Sequence, residues 1–92
     1  MAVFAIHITD DPTNSAKSKL EKHYQEPLHY QIAENSYLIR SNSIAQTLAE
    51  TIGIDGSAGE TGPKGVVFKL NAAYAGFNDR SIWEWLSEAE NQ

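Results

Sequence analysis

The 92-residue sequence has no cysteine. That absence excludes a disulfide scaffold, a Cys-ligated zinc or iron–sulfur site and a thiol nucleophile, and it fits a reducing compartment. Basic residues are scarce as well: 7 Lys and Arg stand against 12 Asp and Glu, a formal charge of -5. Duplex-binding proteins usually carry a basic face, because phosphate neutralisation supplies much of their affinity. A lone monomer gripping DNA is therefore disfavoured, while a metal-bridged or partner-assisted contact stays open. No apolar run approaches the ~20 residues of a membrane span. The start, MAVFAIHITDD, lacks a basic stretch and turns acidic at once. It suggests a first strand instead of a signal peptide, hence a cytoplasmic protein with no membrane contact. Serine, histidine and aspartate do not fall into a nucleophile elbow, and no glycine-rich dinucleotide fingerprint is present.

What is there describes a globular chain. Hydrophobic residues make up 41% and charged residues 21%, which is ordinary for a packed domain. The length allows a single domain over 1–92 and rules out two catalytic domains around a cleft. From Val3 to Ile8, apolar residues fall on nearly both sides, the pattern of an interior strand. Asp10, Asp11 and Pro12 stop it, and Thr13, Asn14 and Ser15 all suit a helix N-cap. Ala16, Leu20 and Tyr24 then recur at i, i+4, i+8, and Pro27 ends that helix by Glu26.

Leu28, Tyr30 and Ile32 alternate with polar neighbours. After the turn at 33–36, Tyr37-Leu38-Ile39-Arg40 completes a hairpin. Ser43 and Gln46 have the spacing of a capping box, Ile44, Leu48 and Ile52 form a second helical stripe, and Gly53 suits a left-handed C-cap. Residues 54–65 form a loop. Their glycines recur every third position at 56, 59, 62 and 65, too short a run for a collagen helix. Gly62-Pro63-Lys64 lacks the spacing of a phosphate-binding loop. Val66 to Leu70 is a fourth strand, and a last helix follows in which Ile82, Trp85 and Leu86 share a face.

The order β-α-β-β-α-β plus a C-terminal helix predicts an α+β fold with two helices on one face of a four-stranded antiparallel sheet, the ferredoxin-like arrangement. The opposite sheet face carries Val3, Ala5, His7, Tyr30 and Phe68. Left bare it would be a large apolar patch, so a second subunit or the last helix is expected to cover it.

Asn35-Ser36-Tyr37-Leu38-Ile39, the helix from Ser43, Val66-Val67-Phe68-Lys69-Leu70, and Tyr74-Ala75-Gly76-Phe77 with Trp83 and Trp85-Leu86 resemble a group of short bacterial and phage proteins called SinR-like. That group is similar to the second CRISPR-associated (Cas) protein family and to VapD-like toxins. The resemblance implies a ferredoxin-like homodimer, a metal-dependent nuclease in some relatives and a non-catalytic scaffold in others. It also implies an Asp just after the first strand, one from each subunit, holding a metal near the dimer axis. In Ile6-His7-Ile8-Thr9-Asp10-Asp11 the strict position carries Thr9, and Asp10 is displaced by one residue. A one-residue slip in a strand reverses side-chain direction. Pro12 echoes a proline common in the group.

Two functional classes follow. In the first, the chain is a non-catalytic scaffold or protein-binding component in a CRISPR-like or toxin–antitoxin-like setting. In the second, Asp10 and Asp11 hold magnesium for cleavage of RNA or DNA, with His7 as general base beside Asp10. The plainer alternatives are that Asp10 and Asp11 form a solvated turn capping the first helix, and that His7 is a sheet-face histidine with a hydrogen-bond partner. Lys17, Lys19, Lys22 and Arg40 form either a small phosphate-tracking patch or a solvated face. His23 and His29 belong at the surface. Trp83, Tyr74 and Phe77 are candidate interface residues. A third class, a small ligand held between Tyr30 and Phe68, is weaker.

Overall fold

A computed structural model describes residues 2–71, 76 and 80–90. Seven elements occur among them: β1 (Ala2–Asp10), α1 (Ser15–His23), β2 (His29–Ala33), β3 (Ser36–Ser41), α2 (Ala45–Ile52), β4 (Lys64–Lys69) and α3 (Arg80–Glu90). The four strands form one sheet in the order β2-β3-β1-β4, and every neighbouring pair is antiparallel. β1 is thus an interior strand, as its apolar residues on both sides predict, while β2 and β4 are edges.

Strand alternation sends Phe4, Ile6 and Ile8 of β1 and Tyr37 and Ile39 of β3 to one face. There they pack with Ala16 and Leu20 of α1 and Leu48 and Ile52 of α2. Both central helices therefore cover a single side, as expected from their i, i+4, i+8 stripes. The opposite face has its own cluster, in which Val3 and Leu38 meet Ile82, Trp85, Leu86 and Ala89 of α3. Of the two covers expected for that face, the last helix supplies most of it. The cover is not complete: on β4, Val66 is 38% exposed and Phe68 58% exposed.

Local details depart from the sequence in two places. Asn14 stands at the N-cap of α1 in a left-handed conformation and makes no capping bond with its side chain. α2 begins at Ala45 with Ile44 as its N-cap and no side-chain cap. Ser43 lies one position too early to cap it, and Gln46 bonds Glu50 instead. Gly53 does close α2 in the left-handed region, at φ 85°. The described residues contain no helix long and apolar enough to cross a membrane.

Candidate functional site

The sequence places its candidate chemistry at the end of β1, where the structure separates the two aspartates by role. The Asp11 carboxylate accepts the backbone N–H of Ala16 through Oδ1 and that of Lys17 through Oδ2, both at 3.1 Å. It therefore caps the first turn of α1 from three residues before Asn14, a role worth about 1 kcal/mol. Asp10 is more than half exposed and faces Lys64, with Nζ 3.8 Å from Oδ2. An ion pair this open adds little stability. Asp10 and Lys64 are also partners in the sheet, next to an irregularity that follows Ile8.

His7 sits on the α3 side of the sheet but beyond its cover, and it is exposed. Its Nδ1 lies 2.6 Å from the hydroxyl of Ser36, its neighbour on β3. This matches the sheet-face histidine with a partner. Ser36 is not a candidate in the sequence; its place opposite His7 comes from the long-range antiparallel pairing of β1 with β3. No group of three or more metal-ligating side chains gathers among the described residues. Both Asp11 oxygens accept backbone N–H groups, while the Asp10 carboxylate faces Lys64.

Arg40 is not part of a surface patch. It is 5% exposed, because it falls on the α3 face two residues beyond Leu38. Its Nε donates to the carbonyl of Pro27 at 3.1 Å, and its guanidinium lies 5.7 Å from the ring centre of Trp85. The indole Nε1 of Trp85 donates to that same carbonyl at 2.9 Å. The Glu26–Pro27 peptide bond is cis. One Arg40 nitrogen, Nη1, is buried with no partner. Beside this cluster runs a groove of about 410 Å³ lined by Glu26, Pro27, His29, Tyr30, Gln31 and Trp85. Tyr30 and Phe68 lie on opposite edge strands, so they share no pocket of the kind a ligand between them requires. Tyr30 instead meets Ser81 of α3 through its hydroxyl, at 2.5 Å. Trp83 is half-buried against the α3 cluster. Tyr74 and Phe77 lie outside the described residues.

Tyr37 provides a test of the other face. Its hydroxyl is buried without a partner in hydrogen-bonding geometry. Burial, then the negative charge of Glu21, pushes its pKa above the usual 10.0. A raised acid favours the folded state's proton, so the contribution is whole below the unfolded value and is lost as pH rises past it. Tyr37→Phe is expected to leave stability near neutral pH unchanged or slightly higher, since it removes an unpaired polar group. Urea denaturation between about pH 9 and 11 should show the parent losing stability that the variant keeps. Parallel curves would place the hydroxyl in contact with solvent.

No family model, curated protein or solved structure matches the chain.

Proposed function

We propose that the chain is a small ferredoxin-like module that forms a homodimer and acts as a non-catalytic scaffold or protein-binding component, of the kind met in CRISPR-like or toxin–antitoxin-like settings. The strand order β2-β3-β1-β4 with both central helices on one face supports the ferredoxin-like reading. The observation that carries the functional reading is the uncovered strip on β4. α3 covers Val3 and Leu38 on its face, yet Val66 and Phe68 stay exposed on a strand whose outer edge no described residue pairs. An unpaired edge bearing apolar side chains is a template for association. Charged groups that would blunt it, Lys64 and Lys69, stand only at its ends.

The competing reading is a magnesium-dependent endonuclease acting on RNA or DNA through Asp10. What favours it is that Asp10 is exposed and not used as the helix cap. Light scattering on the eluting protein, followed by incubation with RNA and DNA in magnesium or manganese, separates the two. We expect a mass of twice the chain and no metal-dependent cleavage. A strict monomer that binds no protein, or cleavage that Asp10→Ala abolishes, would overturn the scaffold reading.

A further inference from the structure

We infer that the partner at β4 is a second copy of this chain, paired antiparallel about a two-fold axis through Val67, with Lys69 of each copy entering an acidic hollow of the other. The inference rests on the dimeric reading above and adds its register, its contacts and its consequence for Asp10.

The register follows from hydrogen-bond alternation. Leu70 N–H donates to Val3 O, so Leu70 turns its backbone groups towards β1. In an antiparallel ladder this orientation repeats every second residue. Phe68, paired with Ala5, and Val66, paired with His7, therefore also turn inward. Ile8 N–H donates to Asn35 O on the other side of β1, which agrees with this alternation. Gly65, Val67 and Lys69 are left with their N–H and C=O groups on the free edge. A two-fold through Val67 brings these same residues together: Val67 faces its own copy, and Gly65 faces Lys69. Between them, Val66 falls opposite Phe68 twice, in the closer type of cross-strand pair. The exposed apolar side chains on each edge are thereby buried against each other.

Charge supports this register. On the other side of the sheet, Lys69 forms no ion pair among the described residues, and it would lie across from Gly65 of the partner copy. Gly65 lines an open hollow of about 520 Å³ together with Ile54, Asp55, Glu60, Pro63 and Lys64. Asp55 is held below its usual pKa, first by the hydroxyl and then by the backbone N–H of Ser57, with Lys19 adding a weaker effect. Lys64 is already engaged by the Glu60 carbonyl and by Asp10. Asp55 and Glu60 thus remain to receive an ammonium group. The same register keeps like charges apart, since Lys64 faces Leu70 and Lys69 faces Gly65.

The two Asp10 residues would then stand far apart. Lys64 and its copy are six residues apart along the paired strands, about 20 Å at 3.3 Å per residue. Asp10 lies beside Lys64, so the two carboxylates could not share one ion. This dimer and the shared-ion nuclease exclude each other.

The absence of cysteine makes the register directly testable. Val66→Cys and Phe68→Cys are prepared separately, then mixed and oxidised. Facing residues in the closer pair are within bridging range, about 4.5 Å between Cα atoms. Equivalent residues on either side of the axis are about 7–8 Å apart, beyond the usual span. We expect a covalent dimer from the mixture and little from either variant alone. Lys69→Glu should weaken dimerisation at least tenfold in sedimentation equilibrium, and adding Glu60→Lys to that variant should restore part of the loss. Circular dichroism confirms that each exposed-site variant is folded. A dimer with no bridge in the mixture and no response to Lys69→Glu overturns this register and leaves the dimeric reading standing. A parent chain that is monomeric at millimolar concentration overturns both.

Discussion

Replacing Trp85 by alanine is expected to lower stability by about 3–5 kcal/mol, the range for truncating a large core aromatic. Trp85 is 9% exposed and joins α3 to the sheet in three ways. Its ring packs with Val3, Leu38 and Leu86, its Nε1 donates to Pro27 O, and it covers the Arg40 guanidinium. Removing the ring also lets water reach Arg40, whose Nη1 has no partner. Rehydration of that charge offsets part of the loss, so the lower end of the range is expected. Trp85→Phe keeps most of the apolar contact and loses one hydrogen bond, a cost of about 1 kcal/mol. Urea denaturation of both variants measures the difference. A Trp85→Ala loss below about 1 kcal/mol, small for a buried aromatic, would mean that α3 contributes little to closing its face.

Gly65→Ala is expected to cost about 1–3 kcal/mol, as overpacking does. A methyl group there would stand 2.6 Å from His7 O, 3.1 Å from Ile54 Cδ1 and 3.2 Å from Ile8 Cα. The Ile54 methyl can shift, but the other two contacts are backbone atoms of β1. β1 is paired on both sides, so moving it disturbs the centre of the sheet. Hydrogen exchange should speed up first along β1 and β4. Unchanged stability would show that the two strands separate there without cost. Gly59 provides the contrast: it has nothing within 4 Å of an added Cβ and a φ of 79°. Alanine at Gly59 strains the backbone alone, at roughly 1–2 kcal/mol.

Much of the fold was legible because burial leaves a period in the sequence. Val3–Ile8 announced an interior strand, since a chain buried on both faces has no polar side to alternate with. The stripes Ala16–Leu20 and Ile44–Leu48–Ile52 announced helices with one apolar side, although Ile44 itself lies just outside α2 and is 66% exposed. The caps were less legible. Asp11 caps α1, as the plainer reading of the Asp10–Asp11 turn expects, through a turn that brings Asp11 O to Asn14 N; which of the two aspartates would do so was not legible. The Ser43–Gln46 motif failed because helix entry shifted by one residue, and a capping box depends on that residue.

Arg40 shows the limit more sharply. A lone arginine in an apolar strand suggests a surface charge, whereas pairing with Trp85 and Pro27 made it a buried one. His7, by contrast, kept the role a strand residue next to a hairpin would have, bonded to Ser36 across the ladder.

Composition and periodicity alone determined an acidic, cysteine-free α+β domain with helices over one sheet face, because hydrophobic spacing is a local property of the chain. Tertiary structure alone decided that α3 covers most of the other face, that Arg40 is buried against Trp85, and that β4 is an edge with Phe68 exposed. Those outcomes depend on which distant segments meet, and a one-dimensional pattern does not specify how far a covering helix reaches across a sheet.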